Sequence, residues 1–103
     1  MEQIKVEGTL PVALKKLVGQ TTIESKKIVM TQMTAIEYMQ AQAAMKDGQY
    51  IGIADLAAMT KLVDDDGAEY EISYDMLGYS SKANLDYLNT LKTQLEAKEK
   101  AES

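Results

Sequence analysis

Three consecutive acids at positions 64–66, followed by Gly67, form the stretch whose residue types and spacing most suggest chemistry. Carboxylates clustered before a glycine are typical of a calcium-binding loop, in which the oxygen ligands and the glycine stand at fixed positions. If Gly67 held the glycine position of such a loop, Leu62 would replace the first acidic ligand and Ser73 would replace the bidentate Glu. The register argues against a calcium loop, so we predict a solvated turn here and no metal site.

The residue types that carry most enzyme chemistry are missing, because the chain has no Cys, no His and no Arg. Without Cys and His there is no thiol nucleophile, no imidazole base near neutral pH and neither of the usual transition-metal ligands. The serines at positions 73, 80 and 81 have no histidine to activate them, and the glycine-containing stretch 48–55 lacks the Lys and Ser/Thr of a phosphate-binding loop. We therefore expect a protein that is not an enzyme and that binds no cofactor.

The charge balance restricts the partners further. There are 16 Asp and Glu residues against 11 lysines, which gives a net charge of −5. Nucleic-acid binding depends on neutralising phosphates, so this balance opposes it. No apolar run approaches the ~18 residues that suggest a membrane span, and no signal-peptide pattern opens the chain. We expect a cytoplasmic protein that binds neither nucleic acid nor membrane.

The stretch 30–45, "MTQMTAIEYMQAQAAM", contains four methionines and a single charged residue, Glu37. A methionine stripe at helical spacing usually fills an irregular core. If one face of this helix points inward, however, Tyr38 and Met45 lie almost opposite, and a helix that is apolar on both sides is either buried on both sides or meets a partner. Both alternatives remain open. The candidate partner-binding residues are Met33, Tyr38, Met45 and Tyr87.

The elements that must position these residues begin with a β-hairpin. Ile4, Val6 and Leu10 alternate with polar residues, and Pro11 suits an edge or a bend. A second β-leaning run covers 21–30, and Gly19 can turn the chain between the two runs. The sequence therefore predicts a hairpin over about residues 3 to 32.

Helical periodicity follows the hairpin. Thr34 and Glu37 form a capping box that predicts a helix over about 35–46. The stretch 53–63, "IADLAAMTKLV", predicts a second helix with Asp55 outside its apolar stripe, and 70–79 suggests a short strand or helical turn. Ser80 or Ser81 caps the last and clearest helix, whose leucine stripe breaks the heptad pattern early, which favours packing onto the domain over a coiled coil.

These elements predict one domain over residues 1–103, of the α+β class and mostly helical. The hairpin region covers 1–33, a helical region of about three helices covers 34–95 with the last helix longest, and the tail 96–103 is expected to fray. The predicted core residues lie on the inward stripes of the helices: Ile36, Met39, Ile53, Leu56, Met59, Leu85, Leu88 and Leu91.

Three stretches in this order resemble a known family: "IVMTQMTAIEYMQAQ", "DLAAMTKL" and "SSKANLDYLNTL". They are similar to the small tail assembly chaperones of contractile-tailed bacteriophages, the group that contains the Mu-like and P2-like proteins. The resemblance covers roughly residues 20–95. The chain departs from the family at Met33, where a proline is common, and in the longer and more acidic loop "VDDDGAEYEIS".

The resemblance implies a non-catalytic assembly factor. Such a protein coats the tape measure protein in the cytoplasm of the bacterial host before the tail tube polymerises, and it is absent from the mature virion. Tail tube protein is an implied second partner, and coating a long partner implies weak homo-oligomers. Two alternatives are a small acidic phage adaptor or regulator that binds one host or phage protein, and a structural subunit of a particle.

Overall fold

The computed structural model describes residues 3–102, which form four strands and four helices. The strands make one antiparallel sheet in which neighbours follow chain order. The elements are β1 (Lys5–Val18), β2 (Thr21–Thr31), α1 (Ala35–Ala43), α2 (Ile51–Met59), β3 (Thr60–Val63), β4 (Glu69–Glu71), α3 (Tyr74–Gly78) and α4 (Lys82–Glu102).

The predicted hairpin is confirmed as β1 and β2. Val18 pairs with Thr21 across the turn, and Gly19 takes a φ of 62°, a left-handed conformation that suits glycine. The register shifts between Thr9 and Leu14, in the part of β1 that contains the proline. Because β1 is an edge strand, this irregularity interrupts pairing on one side only.

The prediction of a mostly helical protein is wrong, because two further strands extend the hairpin into a sheet. The second predicted helix, over 53–63, ends at Met59, and Thr60–Val63 form β3. In β3, Leu62 pairs with Ile28 of β2, and buried and exposed residues alternate. The helical periodicity of the segment could not show that an unpaired edge of β2 was available to it.

The number of helices also differs from the prediction of about three. The stretch 70–79 contributes both to β4 and to the short helix α3. The last helix is the longest, as predicted, and it extends to Glu102; fraying of the tail stays a prediction. No helix within residues 3–102 is long and apolar enough to span a membrane.

The core lies between the sheet and the helices. Four of the residues predicted in the core, Leu56, Met59, Leu88 and Leu91, are buried, while Ile53 and Leu85 are partly buried and pack against the same cluster. The remaining buried apolar residues of the cluster are Leu10, Leu14, Ile28, Met30, Ala57, Leu62, Ile72, Leu77 and Leu95. Helix α4 thus covers the β1–β2 part of the sheet, which leaves α1 to pack elsewhere.

Candidate protein-interaction surface

The start of α1 is fixed by Glu37. The Thr34 N–H donates to Glu37 Oε1 at 2.9 Å and the Glu37 N–H donates to Thr34 Oγ1 at 3.1 Å, which completes the predicted capping box. Gln3 Nε2 also donates to Glu37 Oε1, at 2.7 Å. The bond from the Thr34 backbone and then the bond from Gln3 lower the pKa of the Glu37 carboxyl. The one charge of α1 is thereby engaged in holding the helix.

The rest of α1 is uncharged, and most of it is exposed. None of its residues is buried, and Ile36 and Met39 are 70% and 63% exposed. Together with small and uncharged neighbours they line a shallow depression of ≈ 450 Å³. We call this the α1 surface; it consists of Ala35, Ile36, Met39, Gln40 and Ala43. An exposed apolar helix face of this kind typically marks a site of association.

The prediction that Ile36 and Met39 lie in the core is wrong, because both side chains are exposed. Helix α1 packs mainly against α2, whereas α4 occupies the sheet. A helix with apolar residues on both sides gives no indication of which side meets its neighbour. The side that carries Ile36 and Met39 faces away from the core, which reverses the orientation predicted from the stripe.

The residues predicted to bind a partner are less exposed than those two. Tyr38 is 39% exposed, and its hydroxyl accepts a hydrogen bond from Gln42 Nε2 at 2.8 Å. Met45 lies just beyond the end of α1 and is half-buried. Met33 is partly buried and packs against the core. Tyr38 and Met33 both line a groove beside the α1 surface, so they border it without forming its exposed face.

Tyr87 does not belong to this surface. Its ring is partly buried against the core, and its hydroxyl accepts a hydrogen bond from the Thr9 N–H at 3.0 Å. A Cβ at Gly8 would collide with the Tyr87 hydroxyl, so glycine at this position makes the approach of α4 to β1 possible. Tyr87 therefore joins α4 to β1 and does not contribute to the α1 surface, contrary to the prediction that groups it with Met33, Tyr38 and Met45.

The groove beside the α1 surface lies between α1, α2 and the C-terminal half of α4 and has a volume of ≈ 390 Å³. We call it the Asp55 groove; its lining residues are Met33, Thr34, Ala35, Tyr38, Asp55, Met59, Lys92, Glu96 and Glu99. Asp55 is only 5% exposed, although the sequence pattern placed it outside the apolar stripe. The one indication in the sequence was a lone acid inside the apolar run "IGIADLAAM".

The acidic run at 64–66 forms a turn, with Gly67 at a φ of 86°. Asp64 Oδ1 accepts hydrogen bonds from the N–H of Ala68 at 2.8 Å and of Asp66 at 2.9 Å, and the Tyr70 hydroxyl donates to Asp64 Oδ2 at 2.9 Å. The bond from Ala68 is the main reason why the pKa of the Asp64 carboxyl is lowered. In the part of the chain that the structure describes, no group of three or more His, Cys, Asp or Glu residues could hold a metal ion.

Comparisons of the chain with protein-family models, with curated proteins and with solved structures find no match. The features of the molecule that bear on function are the α1 surface and the Asp55 groove.

Proposed function

We propose that this protein is a bacteriophage tail assembly chaperone that coats a long helical tape measure protein during tail morphogenesis. The observation that carries the proposal is the α1 surface, where Ile36 and Met39 are exposed on a helix whose only charge is engaged in its own cap. Helices with apolar stripes are recognised by laying the stripe against such a face. The resemblance of the three sequence stretches to tail assembly chaperones supplies the identity of the helical partner.

The size of the α1 surface favours weak binding by each copy. Fully burying an Ile or Met side chain stabilises a complex by about 1.5–3 kcal/mol, and association costs at least ~4 kcal/mol in lost freedom. Two such side chains therefore hold one copy only loosely. Many copies along one long partner, with weak contacts between copies, would keep the partner covered and still leave when the tail tube closes around it.

The cellular location and the second partner follow from this role. The protein acts in the cytoplasm of the bacterial host, where it also meets tail tube protein, and it is absent from the mature virion. Its action is non-catalytic, because covering an apolar helix requires burial and no bond chemistry.

Co-expression with the long helical protein encoded by a neighbouring gene tests the proposal. The partner should stay soluble with many copies bound, and the complex should survive high salt because burial of apolar surface dominates it. Ile36→Lys combined with Met39→Lys should abolish binding and leave the thermal midpoint of the free protein nearly unchanged. Leu17→Lys is the control, because Leu17 is 69% exposed on β1 and lies outside the α1 surface.

Two results would contradict the coating role. A single tightly bound copy per partner would favour an adaptor or regulator. Stoichiometric amounts of the protein in purified virions would favour a structural subunit.

A further inference from the structure

Asp55 is a buried acid without a partner. It is 5% exposed, and its Oδ1 atom has no hydrogen-bond partner among the described residues. None of the ion pairs between described residues includes it, although Lys92 lines the same groove. Buried carboxylates in proteins are normally paired, because the ionised group loses its hydration and must recover that interaction elsewhere. The groove therefore contains a carboxyl group that a hydrogen-bond donor or a cation could bind.

The lining of the Asp55 groove indicates which kind of group fits. Its carboxylates, Asp55, Glu96 and Glu99, outnumber its one cation, Lys92, so the groove favours a positive group. The acids do not form a cluster that could hold a metal ion within residues 3–102. Met33, Tyr38 and Met59 supply apolar walls of the kind on which the aliphatic stem of a Lys or Arg side chain packs while its charged head reaches a carboxylate.

The groove also adjoins the α1 surface. Ala35 lines both, so a helix that lies on the α1 surface and extends past Ala35 would reach the mouth of the groove. We propose that the Asp55 groove receives a Lys or Arg side chain of the helical partner segment that covers the α1 surface, and that Asp55 binds its ammonium or guanidinium group. This inference rests on the proposed function, because the segment that carries the cation is the one that the chaperone covers.

The proposed contact makes the α1 surface selective among apolar helices. Ile36 and Met39 alone would accept any exposed apolar helix. A carboxylate beside them favours helices in which a Lys or Arg stands one turn away from an apolar residue, since residues three or four apart share a helix face. The partner is thereby recognised by an apolar stripe with a basic residue at its border.

Two synthetic peptides of about 20 residues, long enough to form a helix, test the inference. Both carry a leucine stripe, and they differ only at one central position beside it, which is Lys in one peptide and norleucine in the other. Binding to the purified full-length chain is measured by fluorescence anisotropy. The wild-type chain should bind the Lys peptide about tenfold or more tightly than the norleucine peptide, as expected for a hydrogen bond to a charged group.

Two variants test whether Asp55 causes the preference for the Lys peptide. Asp55→Asn keeps the shape of the side chain and should remove the preference for the Lys peptide. Glu96→Gln is the matched control at the exposed rim of the groove, and this variant should retain most of the preference for the Lys peptide. Asp55→Asn should not lower the thermal midpoint of the free protein, because Asp55 Oδ1 makes no hydrogen bond there that the substitution could remove.

Several results would overturn the inference. Three concern the peptides: equal binding of both by the wild-type chain, binding of neither, or a preference for the Lys peptide that persists in Asp55→Asn. The fourth is a lower thermal midpoint of Asp55→Asn, which would mean that Asp55 has a partner in the free protein. The co-expression assay with the Ile36 and Met39 substitutions decides the proposed function separately. If the partner stays soluble in that assay while the two peptides bind equally, the results support the chaperone role and contradict the cation site.

Discussion

Asn84 of α4 forms two hydrogen bonds with the backbone of Val12 in β1. The Val12 N–H donates to Asn84 Oδ1 at 3.0 Å, and Asn84 Nδ2 donates to the Val12 carbonyl oxygen at 3.0 Å. Val12 lies where the register of β1 against β2 shifts, directly after Pro11, which has no N–H to donate. The fully buried Asn84 side chain therefore replaces bonds that the irregular strand lacks and joins α4 to the sheet at a defined position.

The first prediction concerns this pair. Asn84→Ala should lower the free energy of unfolding by about 1–3 kcal/mol, because two partly buried backbone groups lose their partners. Asn89→Ala is the control, because Asn89 is exposed on the same helix, and it should change the stability by no more than about 0.5 kcal/mol. Urea unfolding of both variants measures the difference, and equal effects would mean that the Asn84 bonds contribute little.

The second prediction concerns the close approach of α4 to β1. Gly8→Ala should destabilise the protein by about 1–3 kcal/mol, because the added Cβ meets the Tyr87 hydroxyl and lies 3.2 Å from both Ile28 Cδ1 and Leu91 Cδ2. Adding Tyr87→Phe should recover part of this loss, so the double variant should be more stable than the sum of the single effects.

Gly52→Ala is the control for this substitution. Gly52 lies in α2, and apart from its chain neighbours and the backbone of its own helix no atom lies within 4 Å of an added Cβ. Alanine there should be neutral or stabilise by up to about 1 kcal/mol. Strictly additive effects of Gly8→Ala and Tyr87→Phe in thermal unfolding would show that the two side chains do not compete for the same space.

The third prediction separates the α1 surface from the core. Ile36→Ala should change the free energy of unfolding by less than about 0.5 kcal/mol, because the side chain is already 70% exposed. Leu88→Ala removes a fully buried side chain and should cost about 2–5 kcal/mol. Chemical denaturation measures both. A large loss from Ile36→Ala would place this side chain in the core after all.

The fourth prediction concerns the cap of α1 in acid. The hydrogen bonds from Thr34 and Gln3 hold the pKa of Glu37 below its ordinary value of 4.5 in the folded protein. The stabilisation from the ionised carboxylate is therefore fully present above that value and is lost as the pH falls through the lower, folded-state pKa. Wild type should exceed Glu37→Gln in stability at neutral pH, and this advantage should disappear in acid.

A carboxyl titration by nuclear magnetic resonance supplies the direct measurement of this effect. The Glu37 resonance should have its midpoint below 4.5. A midpoint at or above that value would show that the capping carboxylate gains nothing from folding, and the pH-dependent difference between the two proteins should then be absent.

Local patterns in the sequence determined the hairpin, the start of α1 and the inward stripe of α4. Alternating apolar residues and Gly19 defined β1 and β2, Thr34 and Glu37 defined the cap, and leucines at helical spacing defined the buried side of α4. Each of these features depends on residues close together in the chain, where backbone geometry and capping bonds decide the structure. The sequence therefore predicted them without knowledge of the fold.

The tertiary structure alone decided the remaining features. Thr60–Val63 became a strand because the edge of β2 was open to it, and the exposure of Ile36 and Met39 followed from α4, not α1, covering the sheet. Asp55 entered a groove because α1 and α4 close around α2. These outcomes depend on contacts between residues far apart in the chain, and hydrophobic burial is non-directional, so an apolar stripe does not specify which neighbour will cover it.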